Sequence, residues 1–455
     1  MDTHYLVVGA GAMGMAFVDV LLTETDATVV LVDRYDKPGG HWNHAYPHVR
    51  LHQPSAFYGV NSRQLGTNAI DQTGWNAGLA ELASGAEVLA YYDHVMHQQF
   101  LPSGRVSYHP MSEFVGANDQ VGSFRSLVSG QVHEVTAKRI VDATYMKVKV
   151  PSQTPPSYEV ADGVLFGPPN DLPTLSESAD DFVVVGAGKT GADACLWLLA
   201  NGVDPASIRW IMPRDSWYLN RVGIQPDDES RLAFGRSFEV VAASTSVDDL
   251  FDRLEAAGGL LRLDPDVAPT MYRCNTVTMA EMEQLRRLPK ENIIRQGRVQ
   301  HIATDRIVLD DGDIPSTPAT LHIDCTADGL ATRPVVPVFA EHRITLQTVR
   351  HCQQVFSAAF IAHIEAAYGD DATRNELCTV VPHPDTHMDW LRTTLAAMAN
   401  MGRWSVDPDL VQWMAEARLD GFSSPNAPEL DPAAAEALMA TALTAAAKLQ
   451  TYLEE

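Results

Sequence analysis

"VVVGAGKTGADA", residues 183–194, repeats almost word for word the stretch "YLVVGAGAMGMAF" at residues 5–17. Each is an apolar run of strand length, a turn spaced G-x-G-x-x-G, and an apolar stretch of helical length. In such a turn the first glycine allows the tight bend. The second lets backbone approach a pyrophosphate, and the third lets the helix pack on the strand. The phosphates then face the free N–H groups at a helix N-terminus. The glycines at issue are Gly9, Gly11 and Gly14 in the first copy and Gly186, Gly188 and Gly191 in the second. One copy accounts for one dinucleotide. Two copies ask for two.

The residues downstream separate the copies. After the first turn, "TVVLVDR" at 28–34 reads as the next strand and ends in Asp33 and Arg34. An acid at that place binds a ribose hydroxyl. After the second turn, "IRWIMPR" at 208–214 aligns Pro213 with Asp33 and puts Arg214 next to it. Loss of the acid removes repulsion of a 2′-phosphate, and arginine pairs with one, so NADPH is expected over NADH. The competing reading of Arg214 is a solvated charge at a strand end.

The bulk numbers set limits. A chain of 455 residues is too long for a single core, so two or three domains are expected. The formal charge of −25 argues against nucleic acid or an anionic membrane as partner. No apolar run is long enough to span a bilayer, and the glycine-broken N-terminus reads as strand and turn rather than a signal peptide. Five cysteines, at 195, 274, 325, 352 and 378, form no close pair. That disfavours a disulfide framework, a zinc ribbon or a redox dithiol, and the expected compartment is the reducing cytoplasm.

Residues 39–75 are irregular and dense in aromatics, His, Gly and Pro, which in an ordered loop marks a site more often than a linker. Within them Phe57 and Tyr58 either stack on a ligand or pack beneath it. A Pro- and Ser-rich stretch at 151–181 gives the best boundary signal. Helical patterns are read at 77–100, 245–257, 277–288 and 433–453, the last after a polar break at 421–432. Histidine pairs His94/His97 and His383/His387 lack the Glu of a metal-protease motif, so no metal is expected.

Two such units, the first followed by "GGHW" at 39–42, resemble the two-dinucleotide-binding-domain flavoprotein superfamily. The nearest likeness is to flavin-containing, class B-like monooxygenases. "VDATY" at 141–145 and "IDCTADG" at 323–329 resemble that family's strand-end motifs beside FAD. The resemblance implies an α/β fold with two Rossmann-like domains, one for FAD and an inserted one for NADPH, plus a C-terminal helical region. The implied division is 1–175 and 330–372 for FAD, 176–329 for NADPH, and 373–455 as a helical cap. FAD would be held by Gly9, Gly11, Gly14, Asp33, Arg34, Gly40, Trp42, Thr144 and Asp328, with Gln347 and Thr348 ahead of a helix aimed at the flavin. NADPH would be held by Gly186, Gly188, Lys189, Thr190, Gly191 and Arg214. The loop "RLHQPSAFYG" at 50–59 would run under the flavin and bring His52, Gln53 and Ser55 to the reacting face.

The family fingerprint FxGxxxHxxx(W/Y) is missing, since "LFGPPNDLPTLSESADD" at 165–181 has no histidine. The implied activity is an FAD- and NADPH-dependent monooxygenation of a small organic substrate by dioxygen. The alternatives are an NADPH-dependent flavin reductase, a flavin dehydrogenase or oxidase, and a non-catalytic flavin or nucleotide sensor.

Overall fold

The computed structural model describes residues 1–330, 332–421 and 431–455, without the side chains of 228–229, 231–234 and 432. The polar break expected before the last helix lies largely outside these residues.

Strand alternation and apolar runs build two parallel sheets. In the first, the order is Val106–His109, Val29–Val32, Asp2–Val8, Val132–Asp142 and Arg343–Thr345, all parallel. Ala12–Glu24 follows the first glycine turn as a helix. The strand Arg343–Thr345 comes from chain beyond the second unit, so the first sheet is finished only on the return. The return also supplies the helix Gln354–Ala367, apolar on nearly every face and buried against Ala12–Glu24. A helix apolar all round must be covered on all sides.

The second sheet runs Phe166–Gly167, Thr320–Asp324, Asp181–Val185, Ile208–Ile211 and Ile293–Ile294, again all parallel. Its flanking meander takes in Glu159–Val160. Pairing therefore draws residues 159–167 into the second unit, ahead of the boundary expected at 176. The change of sheet falls between Asp142 and Glu159, so the Pro- and Ser-rich stretch begins at that passage and continues into the second unit.

Between Ile208–Ile211 and Ile293–Ile294 the chain makes an excursion. It comprises the strands Ser216–Asn220, Leu260–Leu261 and Met271–Val277 and the helices Asp228–Ala243 and Val247–Ala256. The first of these helices has little apolar periodicity and escaped the sequence reading. The excursion shares a core with the C-terminal helices His387–Trp404 and Pro432–Glu454, through Trp217, Phe251, Tyr272, Leu391 and Leu449. Trp404, Leu410 and Leu419 belong instead to the first core, beside Phe356 and Phe360. The C-terminal region is thus divided between two cores. Among the described residues, no helix is long and apolar enough to cross a membrane.

One buried charge cluster locks the return segment to the first sheet. Glu365 accepts from Tyr5 Oη at 2.9 Å and pairs with Arg374 at 3.1 Å and Arg139 at 3.5 Å. Arg139 also pairs with Asp371 at 2.6 Å. Removing one member of such a cluster leaves buried charge uncompensated, at a cost of about 3–5 kcal/mol. Glu365→Ala is therefore expected to lower stability by about that amount in urea titration. A loss under about 1 kcal/mol would show that the guanidiniums find other partners.

Candidate functional site

The two glycine turns are built alike. Gly9 N donates to Val32 O at 2.8 Å, and Gly186 N to Ile211 O at 3.0 Å. Both first glycines have left-handed φ, +106° and +120°. A Cβ on Gly14 would lie 1.9 Å from Gly9 O, and one on Gly191 would lie 2.1 Å from Gly186 O. The third glycine in each turn is therefore obligatory.

Behind each turn stands an Asp-x-Thr bend. Asp142 Oδ1 accepts from Thr144 N at 2.9 Å and Thr144 Oγ1 at 2.7 Å. Asp324 Oδ1 accepts from Thr326 N at 3.0 Å and Thr326 Oγ1 at 2.6 Å. The middle residue, Ala143 or Cys325, lies against the first glycine. The duplication thus extends from the glycines to the strand-end motifs.

Helix ends distinguish these turns from the rest of the molecule. Among described helices of seven residues or more, eight begin with a Ser, Thr or Asp side chain accepting a backbone N–H. Three do not: Ala12–Glu24, Lys189–Ala200 and Gln354–Ala367, whose caps are Gly11, Gly188 and Gln353. Their first N–H groups lack a side-chain acceptor and are open to one from outside.

Asp33 is buried and tied to the first turn. Its carboxylate accepts from Ala10 N at 2.6 Å and Tyr35 N at 2.8 Å. Burial pushes its pKa up, against the pull of those two N–H groups. Each oxygen keeps a lone pair free for a hydroxyl. In the second unit Arg214 is exposed, and the neighbouring Asp215 is cancelled by Arg295 at 2.7 and 2.9 Å.

The aromatic loop lies between the units. Tyr46 Oη donates to Asp193 Oδ2 at 2.6 Å, and Asp193 also pairs with Lys189. Thr190 reaches the same tyrosine hydroxyl. Arg221, 1% exposed, donates to His52 O at 2.8 Å and Asn76 Oδ1 at 3.0 Å and pairs with Glu281 at 3.0 Å. From the C-terminal side Arg418 donates to the carbonyls of Ala56, Tyr58 and Val60. Burial lowers the pKa of His52 to about 3, with Lys189 adding to the effect. Burial likewise lowers His41 and His48 to about 4. His48 lies between Tyr46 and Trp197, and neither ring nitrogen has a hydrogen-bond partner.

Several expected site residues have their side chains engaged within the chain. Ser55 Oγ donates to Glu81 O at 3.0 Å and accepts from Ala83 N at 2.7 Å, so it pins the loop. Trp42 is buried in the first core and donates to Tyr58 Oη at 2.7 Å. Tyr58 packs edge-on against Trp42 and Tyr92. Gln347 Nε2 donates to Val336 O at 2.8 Å, and Thr348 Oγ1 to Val381 O at 2.6 Å. Asp328 is paired with Arg273 at 2.9 Å, and Thr144 turns its hydroxyl to Asp142. Lys189 is taken by Asp193, and exposed Arg34 stands over Tyr35. Gln53 donates weakly to Phe57 O, at 3.3 Å. His387 bonds Thr270 O at 3.0 Å and His383 bonds Pro384 O at 3.0 Å, so each ring is engaged with backbone.

The cysteine reading is corrected. Cys274 and Cys352 are disulfide-bonded with Cα atoms 6.5 Å apart, and His383 lies beside them. Seventy-eight residues separate the pair in sequence, so no local spacing could announce it. His48, Tyr46, Asp193 and Arg221 were also missed, though the first two lie inside the aromatic loop.

The chain is 56% identical over 424 residues to the uncharacterised proteins Rv2000 of Mycobacterium tuberculosis and Mb2023 of Mycobacterium bovis. The match covers 92% of this chain and 78% of each of those proteins. The chain belongs to their family. No family model matches it. Solved structures similar to this Rv2000-family chain include an open crystal structure of cyclohexanone monooxygenase, with TM-score 0.53 and 14% identity. That match covers 80% of this chain and 86% of the other. A triple mutant of the same enzyme from Rhodococcus sp. Phi1, bound to NADP+, gives TM-score 0.51 and 14% identity over 80% and 84%. At such identity the likeness is one of fold: this Rv2000-family member shares its fold with those two structures.

The neutral histidines of the loop predict an acid-side loss of stability. Unfolded histidine titrates near about 6.5, so below that pH the unfolded chain binds protons that the folded chain refuses. Stability is therefore full at neutral pH and falls as pH drops from about 6.5 toward 4. Each such histidine contributes a slope of about 1.4 kcal/mol per pH unit. In urea titrations between pH 7 and 5, His48→Phe should flatten the profile by about that slope. An unchanged profile would mean that His48 titrates freely in the fold.

Proposed function

We propose that the chain is an FAD- and NADPH-dependent monooxygenase acting on a small organic substrate in the cytoplasm. The observation that carries this reading is the set of three uncapped helix N-termini, in a chain that caps its other long helices with care. Two belong to glycine turns whose first and third glycines leave no room for a side chain. The third heads the return helix.

The residues present fit both cofactors. The first turn would take the FAD pyrophosphate, with Asp33 accepting from its ribose. The second would take that of NADPH, with Arg214 on the extra phosphate and Asp215 already neutralised by Arg295. When bound, the flavin would accept hydride from the nicotinamide and supply the oxygen chemistry. The protein's part is to orient and to exclude water. Arg221 and Arg418 grip the backbone of the loop at 52 and 56–60, fixing His52 and Gln53 against the cleft. His48 and His52, kept neutral by burial, offer imidazole nitrogens that accept or donate a hydrogen bond without adding charge.

A second reading, a flavin reductase or oxidase without oxygenation, is favoured by one feature. The fingerprint histidine position is Asp171 here, and the adjacent Asn170 ties the second unit to the loop through the carbonyls of His44 at 3.1 Å and Ala45 at 3.2 Å. Turnover under isotopically labelled dioxygen, with ketone and sulfide substrates, separates the two. Label in the organic product supports oxygenation, and label only in peroxide or water supports the second reading.

Purified protein should be yellow and release FAD on denaturation. Charge-assisted hydrogen bonds are worth about 1.5–3 kcal/mol, so Arg214→Ala should weaken NADPH binding about 10- to 150-fold. NADH lacks the phosphate and should be affected far less. Rates of flavin reduction by each nucleotide, in wild type and variant, make the comparison. Equal losses for both would return Arg214 to a surface charge.

A further inference from the structure

We propose that Cys274 and Cys352 form a redox-active disulfide at the interdomain cleft, reduced by NADPH by way of the bound flavin. This rests on the flavin reading above.

The pair joins two parts of the chain that meet only in the fold. Cys274 lies on the excursion strand Met271–Val277, and Cys352 lies in the turn just ahead of the return helix. Its surroundings set it apart from the other cysteines. Cys195, Cys325 and Cys378 are buried, free, and have thiols pushed up by burial, which keeps them inert. Cys274 and Cys352 are both partly exposed. Both hold a left-handed backbone, at φ +55° each, a conformation that costs a non-glycine residue and persists where the surroundings enforce it.

The chemistry around the bond suits exchange. His383 presents a nitrogen within 4.8 Å of both sulfurs. Its Nδ1 donates to Pro384 O at 3.0 Å, which leaves Nε2 of the neutral ring free to accept a proton. His351, next to Cys352, has a buried Nε2 without a partner. The uncapped N–H groups of Gln354–Ala367 begin two residues after Cys352 and favour its thiolate.

The pair is also fastened to the segments expected around the flavin. Arg221 donates to His52 O at 2.8 Å and to Thr276 O at 3.4 Å, two residues from Cys274. Arg273, adjacent to Cys274, pairs with Asp328 in the strand-end motif at 2.9 Å. A hydride equivalent from the reduced nicotinamide supplies two electrons and one proton. The S–S bond breaks, and the second proton reaches the sulfur that leaves first from solvent, relayed through Nε2 of His383. The products are two thiols and NADP+.

The test uses the flavin-loaded protein under anaerobic conditions. NADPH is added, exposed thiols are alkylated without denaturant, and the peptides are read by mass spectrometry. The expected result is labelling of Cys274 and Cys352 only after NADPH. Reductive titration should consume about two equivalents of NADPH per flavin in wild type and about one in Cys352→Ser. Bleaching of the flavin with both cysteines unlabelled would overturn the proposal and leave the flavin reading standing. If NADPH fails to bleach the flavin, that reading fails, and light-driven flavin reduction then tests the pair alone by the same labelling. One zinc per chain in protein as isolated, with unbonded thiols, would also overturn it, in favour of a metal site of Cys274, Cys352 and His383.

Discussion

Two carbonyl oxygens, those of Gly9 and Gly186, come so near the first turn of the following helix that no side chain fits at Gly14 or Gly191. That contact brings helix and strand together at both turns. It aims the helix N-terminus at the space above the strand ends and keeps its N–H groups free of any capping side chain. Everything placed around the cleft is arranged about those two ends. The Asp-x-Thr bends close behind them, and the Asp33 carboxylate holds the first turn by accepting from Ala10 N.

The cleft is framed by arginines that read backbone rather than carboxylates alone. Arg221 and Arg418 donate to loop carbonyls from opposite sides, one from the second unit and one from the C-terminal segment. In a chain with a formal charge of −25, anionic nucleotides would have to be held by such local donors and the open helix ends.

The C-terminal helices do more than roof a site. Half of them complete the core of the excursion, and the rest stack on the return helix. The disulfide joins the excursion to the turn before that helix. Excursion, return segment and C-terminus therefore form one mechanical unit, although they are separate in sequence.

The sequence by itself determined the two βαβ units and the glycine turns, and it put Asp33 and Arg214 just past the second strand of each, because each depends on spacing within about thirty residues. The aromatic loop stood out by composition, yet the partners of its side chains did not. Ser55, Gln347 and Thr348 were read as facing the flavin because they flank the right turns. The fold spends their hydroxyls and amide on backbone carbonyls and N–H groups that would otherwise be buried unpaired. Which polar side chain meets a ligand and which satisfies the backbone depends on chain that arrives from elsewhere. The same holds for Cys274 and Cys352, for Tyr46 and Asp193, and for Arg221 at His52. Only tertiary structure decided them, since their partners lie between 78 and 169 residues away and share no local pattern.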